Sequence, residues 1–153
     1  MNARRLIFAA GPVAAAAGLG GLGARHAPQV YRDLRKPRWA PPAAAFGPVW
    51  SALYAGIAVA GWRVSGGASR RVRSLHLAQL TLNAVWPAAF FNARDKRASL
   101  VIIGLLDAAV AAEILALRRE DRVAALLLVP YLAWTGFATA VNAAVSDPGE
   151  RSD

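Results

Sequence analysis

WAPPAAAFGPVWSALYAGIAVAGW, residues 39–62, runs without a single charged side chain. A helix crossing the hydrocarbon core of a bilayer needs about 20 apolar residues, each rising about 1.5 Å. This stretch is long enough, and it is not alone. Leu6–Ala24 is uncharged and follows Arg4 and Arg5. Ser74–Ala93 holds only His76 as a titratable group, Ala98–Leu117 holds Asp107 and Glu113, and Val123–Ser146 is uncharged. Between them lie short basic connectors, Arg25–Arg38, Arg63–Arg73, Arg94–Arg97 and Arg118–Arg122. A β-barrel would need alternating apolar and polar residues over segments of about ten, and no such alternation is present. Helices are then the remaining way to satisfy backbone groups inside lipid.

The spacing predicts an all-α fold, a single integral membrane bundle of five transmembrane helices filling residues 1–153. The helices fall at about 6–24, 46–63, 75–93, 98–117 and 123–145, with a lid-like loop over 25–45. Arg4 and Arg5 ahead of an apolar run also suit a secretory signal. The run is long for one, however, and Ala24-Arg25-His26-Ala27 is a poor cleavage site, so the segment reads as a retained helix.

Composition agrees. Of 153 residues, 56% are hydrophobic and 18% charged, and the mean hydropathy is +0.34. Soluble domains are typically about 25% charged. Disorder is excluded by hydrophobicity. The absence of cysteine excludes a disulfide scaffold and a thiolate-ligated metal. With only His26 and His76, a histidine-rich metal site is not expected. No nucleophile–base pair or phosphate loop stands out.

The net charge of +9 comes with no DNA- or RNA-binding motif. Contact of both membrane faces with anionic headgroups explains it more simply. Lys and Arg divide nine to nine between the two faces, so the positive-inside rule assigns no orientation. The richness in Ala and Arg points to a GC-rich bacterial genome, without indicating the inner or the outer membrane.

Small residues recur every four positions at Ala52, Gly56 and Ala60, at Ala84 and Ala88, and at Gly104, Ala108, Ala112 and Ala116. Each set is a candidate helix–helix or dimer contact. Pro87 and Pro130 lie inside their helices, where a lost donor can kink the chain.

Three helices carry stripes of aromatic and amide residues. Phe46, Trp50 and Tyr54 share one face. Gln79, Asn83, Trp86 and Phe90 share another, as do Tyr131, Trp134, Ala138 and Asn142. Two readings stand. The tryptophans form interfacial belts and the amides join helices, or the stripes converge on an aromatic cavity for a flat, largely apolar ligand. Asp107 and Glu113 are six residues apart and point in different directions. Glu113, near its helix end, is expected to reach toward water, and His76 to lie at the interface. Asp107 is central and is either neutral, paired with another helix, or in the lining of a wet cavity.

The combined motifs are specific. Lys36-Pro37-Arg38-Trp39-Ala40-Pro41-Pro42 precedes Phe46-Gly47-Pro48-Val49-Trp50 and Leu53-Tyr54. Gln79, Leu82-Asn83, Trp86-Pro87 and Phe90-Phe91 follow, and then Pro130-Tyr131-Leu132-Ala133-Trp134, Phe137-Ala138 and Asn142. In this order and spacing the chain closely resembles the translocator protein, or tryptophan-rich sensory protein, family from about Tyr31 to Asn142. It departs at Val30 and Ala98, where many or some members carry tryptophan. Ala143, Ala144 and Val145 lack the aromatic residue of the sterol-recognition pattern of animal members.

The resemblance implies a five-helix bundle, often a homodimer, that binds porphyrins such as protoporphyrin IX or haem as ligands, with no obligatory cofactor and no metal. Carried over by motif, the pocket takes Trp39, Pro41 and Pro42 from the loop and Phe46, Trp50 and Tyr54 from the second helix. Asn83 and Trp86 come from the third helix, Trp134 and Ala138 from the fifth. Arg32, Arg35, Lys36 and Arg38 then meet either porphyrin propionates or lipid phosphates.

Three functions follow. The first is a porphyrin-binding membrane sensor or translocator. The second is an enzyme degrading porphyrin in light, with Trp50 and Trp134 as the reacting pair. The third is a small proton-coupled exporter, for which Asp107 is the coupling acid.

Overall fold

A computed structural model describes residues 3–145. The C-terminal tail, with the Arg151 counted in the charge balance, lies outside the described residues. Six α-helices occur: α1 Ala3–Gly23, α2 Ala27–Asp33, α3 Ala43–Ser65, α4 Arg70–Pro87, α5 Lys96–Glu120 and α6 Arg122–Ala144. A π-helical turn, Ala88–Asn92, continues α4. No β-strand is present among the described residues.

Helix ends explain why the elements outrun the uncharged stretches. The Ser69 hydroxyl accepts from the Val72 N–H, and the Asp95 carboxylate accepts from the Ala98 N–H. Asp121 accepts from the N–H groups of Val123 and Ala124. These caps satisfy donors that the first turn leaves free, so α4, α5 and α6 start at Arg70, Lys96 and Arg122. Arginines that mark connectors by charge are thus helical. A single residue, Asp121, separates α5 from α6.

Four helices, α1, α3, α5 and α6, are long and apolar enough to cross a membrane. Five were expected from the charge pattern. The exception is α4, whose first turn holds Arg70, Arg71 and Arg73, and whose α-helical part ends at Pro87. It also carries His76, Gln79 and Asn83, all buried inside the bundle.

The long helices pack as a closed ring: α1 on α3, α3 on α6, α6 on α5, α5 on α4, and α4 back on α1. Sequence neighbours α3 and α4 scarcely touch. Ile57, Val64, Leu106, Val110, Leu128 and Tyr131 fill the interior. Ile7, Val101, Leu115 and Leu126 point outward, each more than 60% exposed. Apolar residues on the outside of an all-helical ring suit lipid rather than water, so the chain is a multi-pass membrane protein. Of the small-residue sets, Gly56 lies close to the Leu127 carbonyl of α6, whereas Gly104 faces open space.

One end of the ring gathers the α1 C-terminus, α2, the α3 N-terminus and the π turn. Gly23 is required there, because a Cβ would stand 2.8 Å from the Ala88 nitrogen. The opposite end is joined by Arg63–Asp121 at 2.9 Å, by Ser69–Glu120 at 2.7 Å, and by Arg5 contacts to Ser65 and Trp62.

Candidate functional site

At the first of these ends the loop is latched over an aromatic cavity. Pro42 is extended and caps α3. Tyr31 of α2 donates its hydroxyl to the Pro41 carbonyl at 2.7 Å and meets the Phe46 ring edge-on at 5.2 Å. Burial pushes the Tyr31 hydroxyl above its usual pKa, which keeps it a donor. Lys36 caps the end of α2 by donating to the carbonyls of Tyr31, Arg32 and Leu34, and lies over the Tyr31 ring.

The cavity below has a wall from each stripe. Pro41, Phe46 and Tyr31 form the loop side. Trp134, Phe137, Ala138, Val141 and Asn142 come from α6. Trp86 ends α4, and Phe90 and Phe91, adjacent in sequence, both reach the cavity from the π turn. Rings contact one another around it: Phe46–Trp134 at 5.9 Å, Trp86–Phe90 at 5.2 Å and Phe90–Phe91 at 4.8 Å. The indole N–H groups of Trp86 and Trp134 are buried without a partner. Buried indoles usually find one.

The cavity has a volume of about 20 Å³, room for a water-sized molecule. Ligand pockets for flat organic molecules typically hold about 300–1,000 Å³. A flat organic molecule of that size enters only if the loop and rings move apart.

The ten expected site residues do not all line this cavity. Pro41, Phe46, Trp86, Trp134 and Ala138 do. Pro42 lies beside it as the α3 cap. Trp39 is 51% exposed and packs outside, against Phe137. Trp50, Tyr54 and Asn83 lie a turn or two deeper, in a polar layer. There the Tyr54 hydroxyl donates to Asn83 Oδ1 at 2.7 Å, and Asn83 Nδ2 donates to the Tyr131 hydroxyl at 3.0 Å. Trp50 packs on Tyr54 and Tyr131. The second Asn83 amide hydrogen makes no hydrogen bond among the described residues. Tyr31 and Val141 join the wall without having been singled out, and Phe91, quoted only as part of a motif, joins it too. A Tyr31 aromatic partner for Phe46 has no spacing signal, since it arises from the fold of the loop. Of the loop cations, Arg32, Arg35 and Arg38 remain exposed, while Lys36 is committed to the α2 carbonyls.

A second polar centre corrects two expectations. Glu113 does not reach toward water and His76 is not interfacial: both are fully buried, with His76 Nδ1 and Glu113 Oε1 2.7 Å apart. The reason is helix length. Since α4 begins at Arg70, His76 lies nearly two turns inside it, opposite the inward face of α5. Phe8 stacks on the imidazole at 5.9 Å. Gln79, one turn on, is also fully buried. Asp107 accepts from the Thr139 hydroxyl of α6 at 2.7 Å, so it pairs across helices. Among the described residues no three His, Cys, Asp or Glu side chains gather as a metal site.

Comparison with known proteins is consistent along the chain. The TspO/MBR family model matches residues 8–146. A human protein named translocator protein is 39% identical over 118 residues, covering 73% of this chain and 70% of its own. The tryptophan-rich protein TspO of Chlorobaculum tepidum is 40% identical over 117 residues, covering 73% and 74%. The tryptophan-rich sensory protein of Cereibacter sphaeroides is 34% identical over 113 residues, covering 73% and 72%. The match spans the loop, the aromatic cavity and the helices that wall it: the chain belongs to the TspO/MBR family of translocator and tryptophan-rich sensory proteins.

Proposed function

We propose that this protein is a membrane sensor or translocator that takes a porphyrin into the aromatic cavity, with residues 25–42, α2 included, as its lid. One observation supports this above the others. Trp86 and Trp134, in the cavity wall, each hold a buried indole N–H with no partner. An incoming tetrapyrrole supplies flat faces for the rings and acceptors for these donors. The exposed Arg32, Arg35 and Arg38 at the loop then meet its propionates.

In this reading α4 crosses the membrane as a fifth span. Its polar face is turned to the ring interior, and the apolar π turn completes its length. Two such rings pair as a homodimer. Nothing in the geometry singles out light-driven degradation, because Trp50 lies beneath the cavity rather than in its wall.

The test is a dark titration of protoporphyrin IX followed by tryptophan quenching, then illumination of the same samples. Saturable binding is expected, weakened about 3- to 10-fold in Trp86→Phe and in Trp134→Phe, the effect of losing one net hydrogen bond. No more than about one porphyrin is lost per protein in light. Absence of saturable binding overturns the reading. Loss of many porphyrins per protein, abolished by Trp50→Phe and Trp134→Phe, makes the protein an enzyme.

A further inference from the structure

At the end of the ring away from the cavity, a groove of about 1020 Å³ runs between α5 and α6. Its rim carries Arg71, Arg118, Arg119 and Arg122, all exposed. Its floor is apolar, with Leu115 and Leu126 prominent.

Two features set this groove apart from ordinary surface charge. The acids at this end are already engaged: Glu120 accepts from the Ser69 hydroxyl and N–H, and Asp121 binds Arg63 at 2.9 Å. None of the four rim arginines pairs with an acid among the described residues. Charge and apolar surface are also stacked in order. Arg118 and Arg119 occupy the last turn of α5, Arg122 the first of α6 and Arg71 the first of neighbouring α4, while Leu115 and Leu126 lie about one turn, or about 5.4 Å, deeper toward the membrane interior.

That order is the order of a phospholipid, phosphate above acyl chain. We propose that the groove is a binding site for an anionic phospholipid carrying two phosphates. Arginine binds phosphate through paired N–H groups. A phosphodiester has two free oxygens, enough for about two guanidiniums. Four unpaired arginines therefore match two phosphates better than one, and the acyl chains lie over Leu115 and Leu126. Basic pockets between spanning helices favour such headgroups. The site is separate from the cavity and does not depend on porphyrin binding.

The test is native mass spectrometry of the full chain released from nanodiscs of phosphatidylcholine doped with cardiolipin or with phosphatidylglycerol. One retained cardiolipin per chain is expected, held at least about tenfold better than phosphatidylglycerol. Arg118→Gln/Arg119→Gln/Arg122→Gln should lower retention at least about tenfold. Lys96→Gln/Arg97→Gln, at the other end, should leave it within about twofold. Leu126→Trp, which fills the floor and keeps every guanidinium, should also lower it, and this variant decides the matter if the triple variant misfolds. Equal retention of all lipids, equal loss in the Lys96/Arg97 control, full retention in Leu126→Trp, or displacement by excess glycerol phosphate would each overturn the proposal.

Discussion

His76 and Glu113 are the residues whose placement the sequence hides. Each looks peripheral on its own helix, and only the packing of α4 on α5 shows that the two meet at 2.7 Å with no exposure. Removing one member of a buried hydrogen-bonded pair leaves the other unsatisfied, a loss of about 1–3 kcal/mol. Glu113→Ala should therefore lower the unfolding midpoint in detergent sharply, and Glu113→Gln, which keeps hydrogen-bonding capacity, should lower it less. Equal midpoints for Glu113→Ala and wild type would show that the pair carries no stability. Gly61 gives an independent check. A Cβ there would stand 2.8 Å from His76 Nε2, so Gly61→Ala should cost about 1–3 kcal/mol through overpacking. The aromatic residues are easier to read. Phe46, Trp86 and Trp134 announce a stripe by spacing alone. Which turn of each stripe reaches the cavity depends on the stagger of neighbouring helices, and this is why Trp50, Tyr54 and Asn83 lie below it.

Boundaries follow caps rather than charge. At the α5–α6 junction, burial resists ionisation of Asp121. The Ala124 N–H, the Arg63 guanidinium and the Val123 N–H outweigh it and hold the carboxyl below its usual range. A lowered folded-state pKa means that this stability is complete above the ordinary carboxylate value of about 4 and is lost as pH falls through the folded value. Asp121→Asn should thus be less stable than wild type at neutral pH. The two unfolding midpoints should converge below about pH 4, and a gap unchanged with pH would contradict the account. Two elements are not legible. Seven residues make α2 too short for a periodic signal. Pro87 announces a break but not its form, a π turn that brings Phe90 and Phe91 together to the cavity. The lid contact formed by α2 is directly testable. Tyr31→Phe loses the 2.7 Å bond to the Pro41 carbonyl, and faster hydrogen exchange is expected over residues 34–42.

The rough extent of the four apolar spans is legible because charge clusters punctuate apolar runs at membrane length, whereas the polar inner face of α4 takes it out of that set. The ring order of the long helices is not legible. Periodicity names inward faces but does not say that α3 touches α6 while scarcely meeting α4. That order places three aromatic stripes around one cavity under one loop, with the arginine-rimmed groove at the far end. A cavity of about 20 Å³ also means that binding and lid opening are one event, so affinity reports both. Ala138 is the small residue in that wall, and a larger side chain there occupies the space that opening creates. Dark titration of protoporphyrin IX into wild type and Ala138→Phe, with matched unfolding midpoints, is the most direct measurement. The account predicts saturable binding to wild type and at least about tenfold weaker binding to Ala138→Phe, a difference of about 1.4 kcal/mol. Equal affinities for the two proteins would contradict it, and would place the ligand somewhere other than this cavity.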